Sequence, residues 1–193
     1  MRLLQQWHAR PRAPIAVSRQ RMQNAAVAHE LTESYLADAV RVFHTYKRLG
    51  ESAMTQIPDE ALTIALDAEA NSIAIIVKHM AGNMRSRWTD FLTTDGEKPS
   101  RNRDSEFESP AATRAELTAQ WEAGWKCVFD ALGPLSDVDL ARTVLIRNQP
   151  HSVMQAINRQ LAHYSYHVGQ IVFLAKHFAG EHWTSLSMPR RKP

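Results

Sequence analysis

Two histidines four positions apart, His163 and His167, stand in the stretch QLAHYSYHVGQIVFLAKHF that spans residues 160–178. On a helix this spacing puts both imidazoles on one face, with Cβ atoms about 5–6 Å apart. Both can then reach a single ion, because metal–nitrogen bonds are about 2.0–2.1 Å long. The residues between them are Tyr164, Ser165 and Tyr166. With no carboxylate in that gap, the H-E-x-x-H arrangement of zinc proteases and its glutamate base are excluded. Spacing alone fits two hydrogen-bonded or partly exposed histidines more often than it fits two legs of a metal site.

A third histidine gives the pair something to converge on. Around His79 the apolar positions Ile73, Ile76, Val77, Met80, Met84 and Phe91 define the core face of a helix. A polar seam of Ser72, His79, Asn83 and Asp90 runs along one edge, with Ile75 on the other side. In the later stretch the arc Val153, Ile157, Leu161, Tyr164, Val168, Ile171, Val172 and Ala175 lies beside a strip of Gln160, His163, His167, Gln170 and Leu174. Tyr166 and Phe173 lie beyond that strip, so both histidines are expected to face inward. Helical bundles build metal sites from such inward side chains on facing helices. Three neutral imidazoles suit zinc, nickel or ferrous iron and leave coordination positions open. Asn83, Gln160 and Gln170 lie near these ligands and are expected either to orient them or bind substrate, or to be solvated at the bundle end.

The elements that must position these groups are helices. Val27, Leu31, Tyr35, Val42, Tyr46 and Leu49 recur at helical spacings over about 24–49, with Gly50 as a stop. The helix carrying His79 is expected from Asn71 or Ser72 to Leu92, before the turn signal Asp95-Gly96. Residues 94–111 form a long polar loop without periodicity, a length often associated with function. Thr113 and Glu116 make a capping-box pattern that opens a helix ending near Gly133-Pro134. The segment 140–150 is rich in β-branched residues and predicts a short extended connection. Ser152 then caps a last helix over 153–179, stopped by Gly180. Four amphipathic helices with almost no strand predict an all-α, antiparallel four-helix bundle.

The remaining candidates have ordinary readings. Arg101 and Arg103, in the long loop, could meet an anionic substrate, or belong to a charge-mixed surface or dimer contact. Trp88, Trp121 and Trp125 sit at packing positions. His29, His44, His151, His177 and His182 have no evident convergent partners. Cys127 is the lone cysteine, so no internal disulfide is possible, and a reducing cytoplasm is the natural compartment.

The chain has 193 residues, 44% hydrophobic and 22% charged, enough for one domain with its own core. No apolar run approaches the roughly 20 residues of a membrane helix, so no membrane association is expected. The net charge of +3 is concentrated at one end. Residues 1–21 carry five arginines and no acid, leaving 18 basic and 20 acidic side chains in residues 22–193. The leading segment is expected to be a basic, disordered tail or the product of an upstream start codon, with Met22 the alternative start. It supports weak nonspecific nucleic-acid binding at most.

The blocks NSIAIIVKHMAGNMRSRWTDFLTTDGEKPSRNRDSEFE (71–108) and INRQLAHYSYHVGQIVFLAKHFAGEHWTSLSMPR (157–190) resemble a bacterial branch of the DinB-like superfamily. The resemblance covers roughly residues 24–190. It implies a four-helix bundle, often dimeric, with one metal ligand on the second helix and an H-x3-H pair on the fourth. Here those positions are His79, His163 and His167. Relatives include thiol-dependent transferases and isomerases in which the metal activates a low-molecular-weight thiol.

Two functions follow as expectations. One is a metal-dependent enzyme, a thiol-dependent transferase or hydrolase acting on a small-molecule substrate, with its catalytic base unassigned. The other is a non-enzymatic dimeric stress-response or ligand-binding bundle with a structural metal or none.

Overall fold

The computed structural model describes residues 33–108 and 112–189. The basic segment 1–21, Met22, His29 and the beginning of the first expected helix, with Val27 and Leu31, lie outside the described residues.

Four long helices dominate the described residues. Helix α1 (Tyr35–Met54) starts at Ser34, whose hydroxyl accepts the Ala37 N–H at 3.2 Å. Gly50 does not stop it; the helix runs one turn further. The reason is packing: a Cβ at Gly50 would lie 2.7 Å from Cζ2 of Trp121, so the glycine makes room for an indole. Helix α2 (Ile73–Trp88) is capped by Ser72 and ends four residues before the expected Leu92. Thr89 has already left helical geometry and Asp90 takes φ 49, which turns the chain out of the helix. Ser72 and Asp90 are therefore the cap and the exit of the helix and not members of a seam.

Helix α3 (Arg114–Leu132) opens with the expected Thr113–Glu116 capping box. Helix α4 (Val153–Ala179) has the expected bounds, with a capping box between Ser152 and Gln155 and Gly180 at φ 52 after its end. Helix α1 packs on α4, and α2 lies against both α3 and α4. At the α2–α3 contact a Cβ on Gly124 would lie 3.0 Å from the Ala81 Cα, so the two backbones approach closely there.

The extended connection resolves into a hairpin of β1 (Thr143–Ile146) and β2 (Gln149–Ser152), antiparallel, with Ile146 opposite Gln149. Arg147 and Asn148 form its turn with φ 54 and 59, both left-handed, as a two-residue hairpin turn requires. The α2–α3 loop clasps this turn: the Asp95 carboxylate accepts the N–H groups of Arg147 (2.8 Å) and Asn148 (2.6 Å). Gly96 also donates its N–H to the Leu145 carbonyl at 2.8 Å. The clasp fixes the loop that carries Arg101 and the turn that carries Arg147 in one place.

The core is aromatic at its centre. Phe43 of α1, Trp88 of α2, Trp125 of α3 and Tyr164 of α4 pack with ring centroids 5.6–6.2 Å apart. All three tryptophans singled out in the sequence are buried. The Trp88 indole donates to the Tyr164 hydroxyl at 2.9 Å, which donates to Asn83 Oδ1 at 3.1 Å. That chain pins α2 against α4 beside the histidines. Among the described residues, no helix is long and apolar enough to cross a membrane.

Candidate metal centre

His79 on α2 and His163 and His167 on α4 come together across the α2–α4 contact. One ligand-capable atom from each lies within 4.8 Å of the others, and no other such group of three occurs among the described residues. His79 Nε2 stands 3.4 Å from His163 Nε2. That separation is close to the edge of a coordination tetrahedron, which is roughly 3.4 Å for metal–nitrogen bonds of about 2.0–2.1 Å. His79 and His167 are buried, and His163 is half-buried.

The outward nitrogens decide the tautomers. Glu106 Oε2 lies 2.9 Å from His79 Nδ1, and a carboxylate can only accept, so His79 carries its proton on Nδ1 and turns the Nε2 lone pair inward. His167 Nδ1 lies 2.8 Å from Gln170 Oε1, an acceptor that likewise leaves Nε2 of His167 free. Nε2 of His167 and Nδ1 of His163 are buried without any hydrogen-bond partner. An orphaned lone pair such as that of His167 Nε2 costs free energy unless something occupies it, whereas His163 turns Nε2 toward His79 and its unpartnered Nδ1 is the outer nitrogen. The donor set therefore fits a metal ion.

Electrostatics favour the neutral ligands that a metal needs. Burial pushes the His163 imidazole down to about 3, helped by the neighbouring His167 and His79 and then by Arg101 and Arg87. Burial lowers His167 to about 4 against the Gln170 hydrogen bond, which raises it. Proton competition for these nitrogens is weak at neutral pH.

Glu106 is the site residue that the sequence reading missed. Burial alone would raise its carboxyl, but hydrogen bonds from Arg101 and His79 outweigh that and hold it below the usual carboxylate range. Arg101 grips it with Nε to Oε1 and Nη2 to Oε2, both 2.8 Å. A 3₁₀ turn over Asp104–Phe107, within the loop expected to be irregular, delivers Glu106 to His79. Phe107 then covers the His79 ring at 4.8 Å between centroids. One signal was available in the sequence: Gly82, three residues after His79, sits mid-helix because a Cβ there would lie 2.2 Å from Glu106 Oε1.

The other candidates separate. Gln170 touches a ligand directly, although its side chain is otherwise exposed. Asn83 is buried beside the site but is engaged by Tyr164 and touches no imidazole. Gln160 is buried with its Oε1 unpaired, and it lines the cavity over the histidines. Tyr166 and Phe173, expected to flank a buried strip, are 53% and 65% exposed, so the histidines sit at the edge of the core. Arg101 serves Glu106, whereas Arg103 lies over the Phe107 ring, 4.9 Å from its centroid. His44 stacks on Phe129, His151 lies 2.9 Å from the Gln149 carbonyl through Nδ1, and His177 and His182 are exposed. None of these four joins the site.

No curated protein matches the chain. The profile of one family covers residues 30–192, the whole span that holds the three histidines and their helices. The chain belongs to that family, described as "Protein of unknown function (DUF1572)".

Proposed function

We propose that the chain is a metal-dependent enzyme of the DinB-like superfamily, folded as an antiparallel four-helix bundle. His79, His163 and His167 hold one zinc, nickel or ferrous ion, and the reaction is a thiol-dependent transfer or hydrolysis on a small molecule. The protein works in the cytoplasm as a homodimer. The observation that carries this reading is the inward convergence of three imidazoles, with Nε2 of His167 buried and satisfied by no other group.

Each residue has a distinct task. Glu106, itself held by Arg101, fixes the His79 tautomer and ring plane. Gln170 does the same for His167. Phe107 shields the His79 face from water, and Asn83 with Tyr164 keeps α2 and α4 in register. Gln160 faces the substrate side. A divalent ion, when bound, supplies Lewis acidity that favours the deprotonated form of a water or thiol. The cavity beside the histidines has no carboxylate in its lining, so no side chain there is assigned as general base.

Metal analysis of the untagged protein beside His163→Ala tests the reading. About one equivalent in the wild type and little in the variant is expected. Equal, negligible content in both after reloading would remove the metal and the enzyme together. A loaded protein that never exchanges a ligand or uses a thiol would leave the ion a structural role.

A further inference from the structure

The cavity lined by His79 and His163 has a second chemical character. It has a volume of about 380 Å³, in the range of small-molecule sites. Its lining includes Arg87, Arg101, Arg103, Arg147 and Arg159. The carboxylates that pair with these groups are Glu97 and Glu106. Five guanidinium groups stand against Glu97, Glu106 and the Asp95 carboxylate at the hairpin turn, which leaves an excess of two positive charges around one small space.

Internal pairing does not account for this excess. Arg101 is satisfied by Glu106 and Glu97. Arg147 shares Glu97 at 3.1 Å. Arg87 is 3% exposed, reaches Glu97 only at 3.5 Å, and leaves Nε and Nη1 buried without a partner. Arg103 lies over the Phe107 ring, neither it nor Arg159 forms an ion pair among the described residues, and both are exposed. A buried guanidinium with two unpaired nitrogens is costly. Gln160 adds a buried amide whose oxygen finds no donor; turned about, the same amide presents its NH₂ group to an acceptor.

We propose that this cavity is a receptor for a small molecule carrying at least two carboxylate or phosphate groups, held by Arg87, Arg103, Arg147 and Arg159 beside the three histidines. Guanidinium forks match the planar spacing of such oxygens, which a set of lysines would not. Bound there, the anionic groups fix the orientation of the ligand, and its remaining part is directed to the imidazoles. The inference deepens the metal-enzyme reading by naming the class of its substrate, and it rests on that reading only for the word substrate.

Isothermal titration at low salt with succinate, inorganic pyrophosphate and neutral succinamide tests it, on the protein as isolated and after metal stripping. Succinate, pyrophosphate or both are expected to bind, and which one does assigns the carboxylate or phosphate source; succinamide is expected not to bind. Arg103→Gln and Arg159→Gln, both at exposed positions, are each expected to weaken binding about tenfold, and metal stripping to leave it in place. No binding of either anion, or undiminished binding in the double variant, overturns the proposal. Binding that disappears with the metal but ignores the arginine changes also overturns it, while supporting the metal site. A protein that carries no metal yet still binds the anion through its arginines would sink the metal reading and leave the receptor standing.

Discussion

At the scale of single residues, the proposed metal site depends on groups that point away from it. Three imidazoles offer lone pairs only if their other nitrogens carry the protons, and Glu106 enforces that for His79. Glu106→Gln keeps the size of the side chain but places a neutral amide between Arg101 and His79. The amide oxygen can still accept from one of them, whereas its NH₂ group would confront another donor. Loss of such an outer partner typically costs 10–100-fold in metal affinity. We expect a fall of that order in a chelator competition titration, with circular dichroism unchanged. Unaltered affinity would show that His79 is oriented by its helix alone. Nothing in the sequence near Glu106 singled it out, because Glu97, Asp104 and Glu108 share its loop and its chemistry. Its role depends on a contact 27 residues back along the chain, to His79. By contrast, the pair His163 and His167 was legible because one helix sets their spacing.

At the scale of elements, the helix carrying His79 and the loop carrying Glu106 meet over a glycine. Gly82 would ordinarily weaken α2 by about 0.5–1 kcal/mol relative to alanine. Its absent side chain is the space in which the Glu106 carboxyl lies, since a Cβ would meet Oε1 at 2.2 Å and Cδ at 2.7 Å. Gly82→Ala is therefore expected to strengthen the helix and displace the loop. The melting temperature should change little, because the two effects oppose each other, while metal retention falls as it does in Glu106→Gln. A stabilised variant with full metal affinity would show that the loop can shift without consequence. Helices were the legible part of this fold: the caps Thr113 and Ser152 were identified from local sequence, and α4 has the bounds expected of it. One misjudged boundary lay where a distant residue intervenes, as Trp121 does at Gly50, and the other where Asp90 adopts left-handed backbone that its residue type does not announce. The hairpin was seen only as an extended segment, because Arg147-Asn148 is not a turn pair that announces left-handed backbone and its support comes from Asp95.

At the scale of the whole molecule, charge and fold divide the chain differently from its net value of +3. Five arginines precede Met22, and residues 22–193 carry two more acidic than basic side chains. The family profile begins at residue 30, and α1 begins after the Ser34 cap. The three histidines of the candidate metal centre and the five cavity arginines lie between residues 79 and 167. The positive field of the cavity is thus local, built by the α2–α3 loop, the hairpin turn and two helices inside a domain of slightly negative charge. We propose that residues 22–193 are the functional domain and that residues 1–21 contribute neither stability nor the site. A chain beginning at Met22 should melt within about 2 °C of the full chain, a difference worth less than roughly 1 kcal/mol for a domain of this size. It should bind metal in the same proportion. Any salt-sensitive retention of the full chain on immobilised DNA should be lost with the five arginines. A melting temperature lower by several degrees would instead place part of the leading segment within the folded unit. DNA retention that survives the truncation would move the polyanion contact to the domain, where the arginine cavity would be the first surface to mutate.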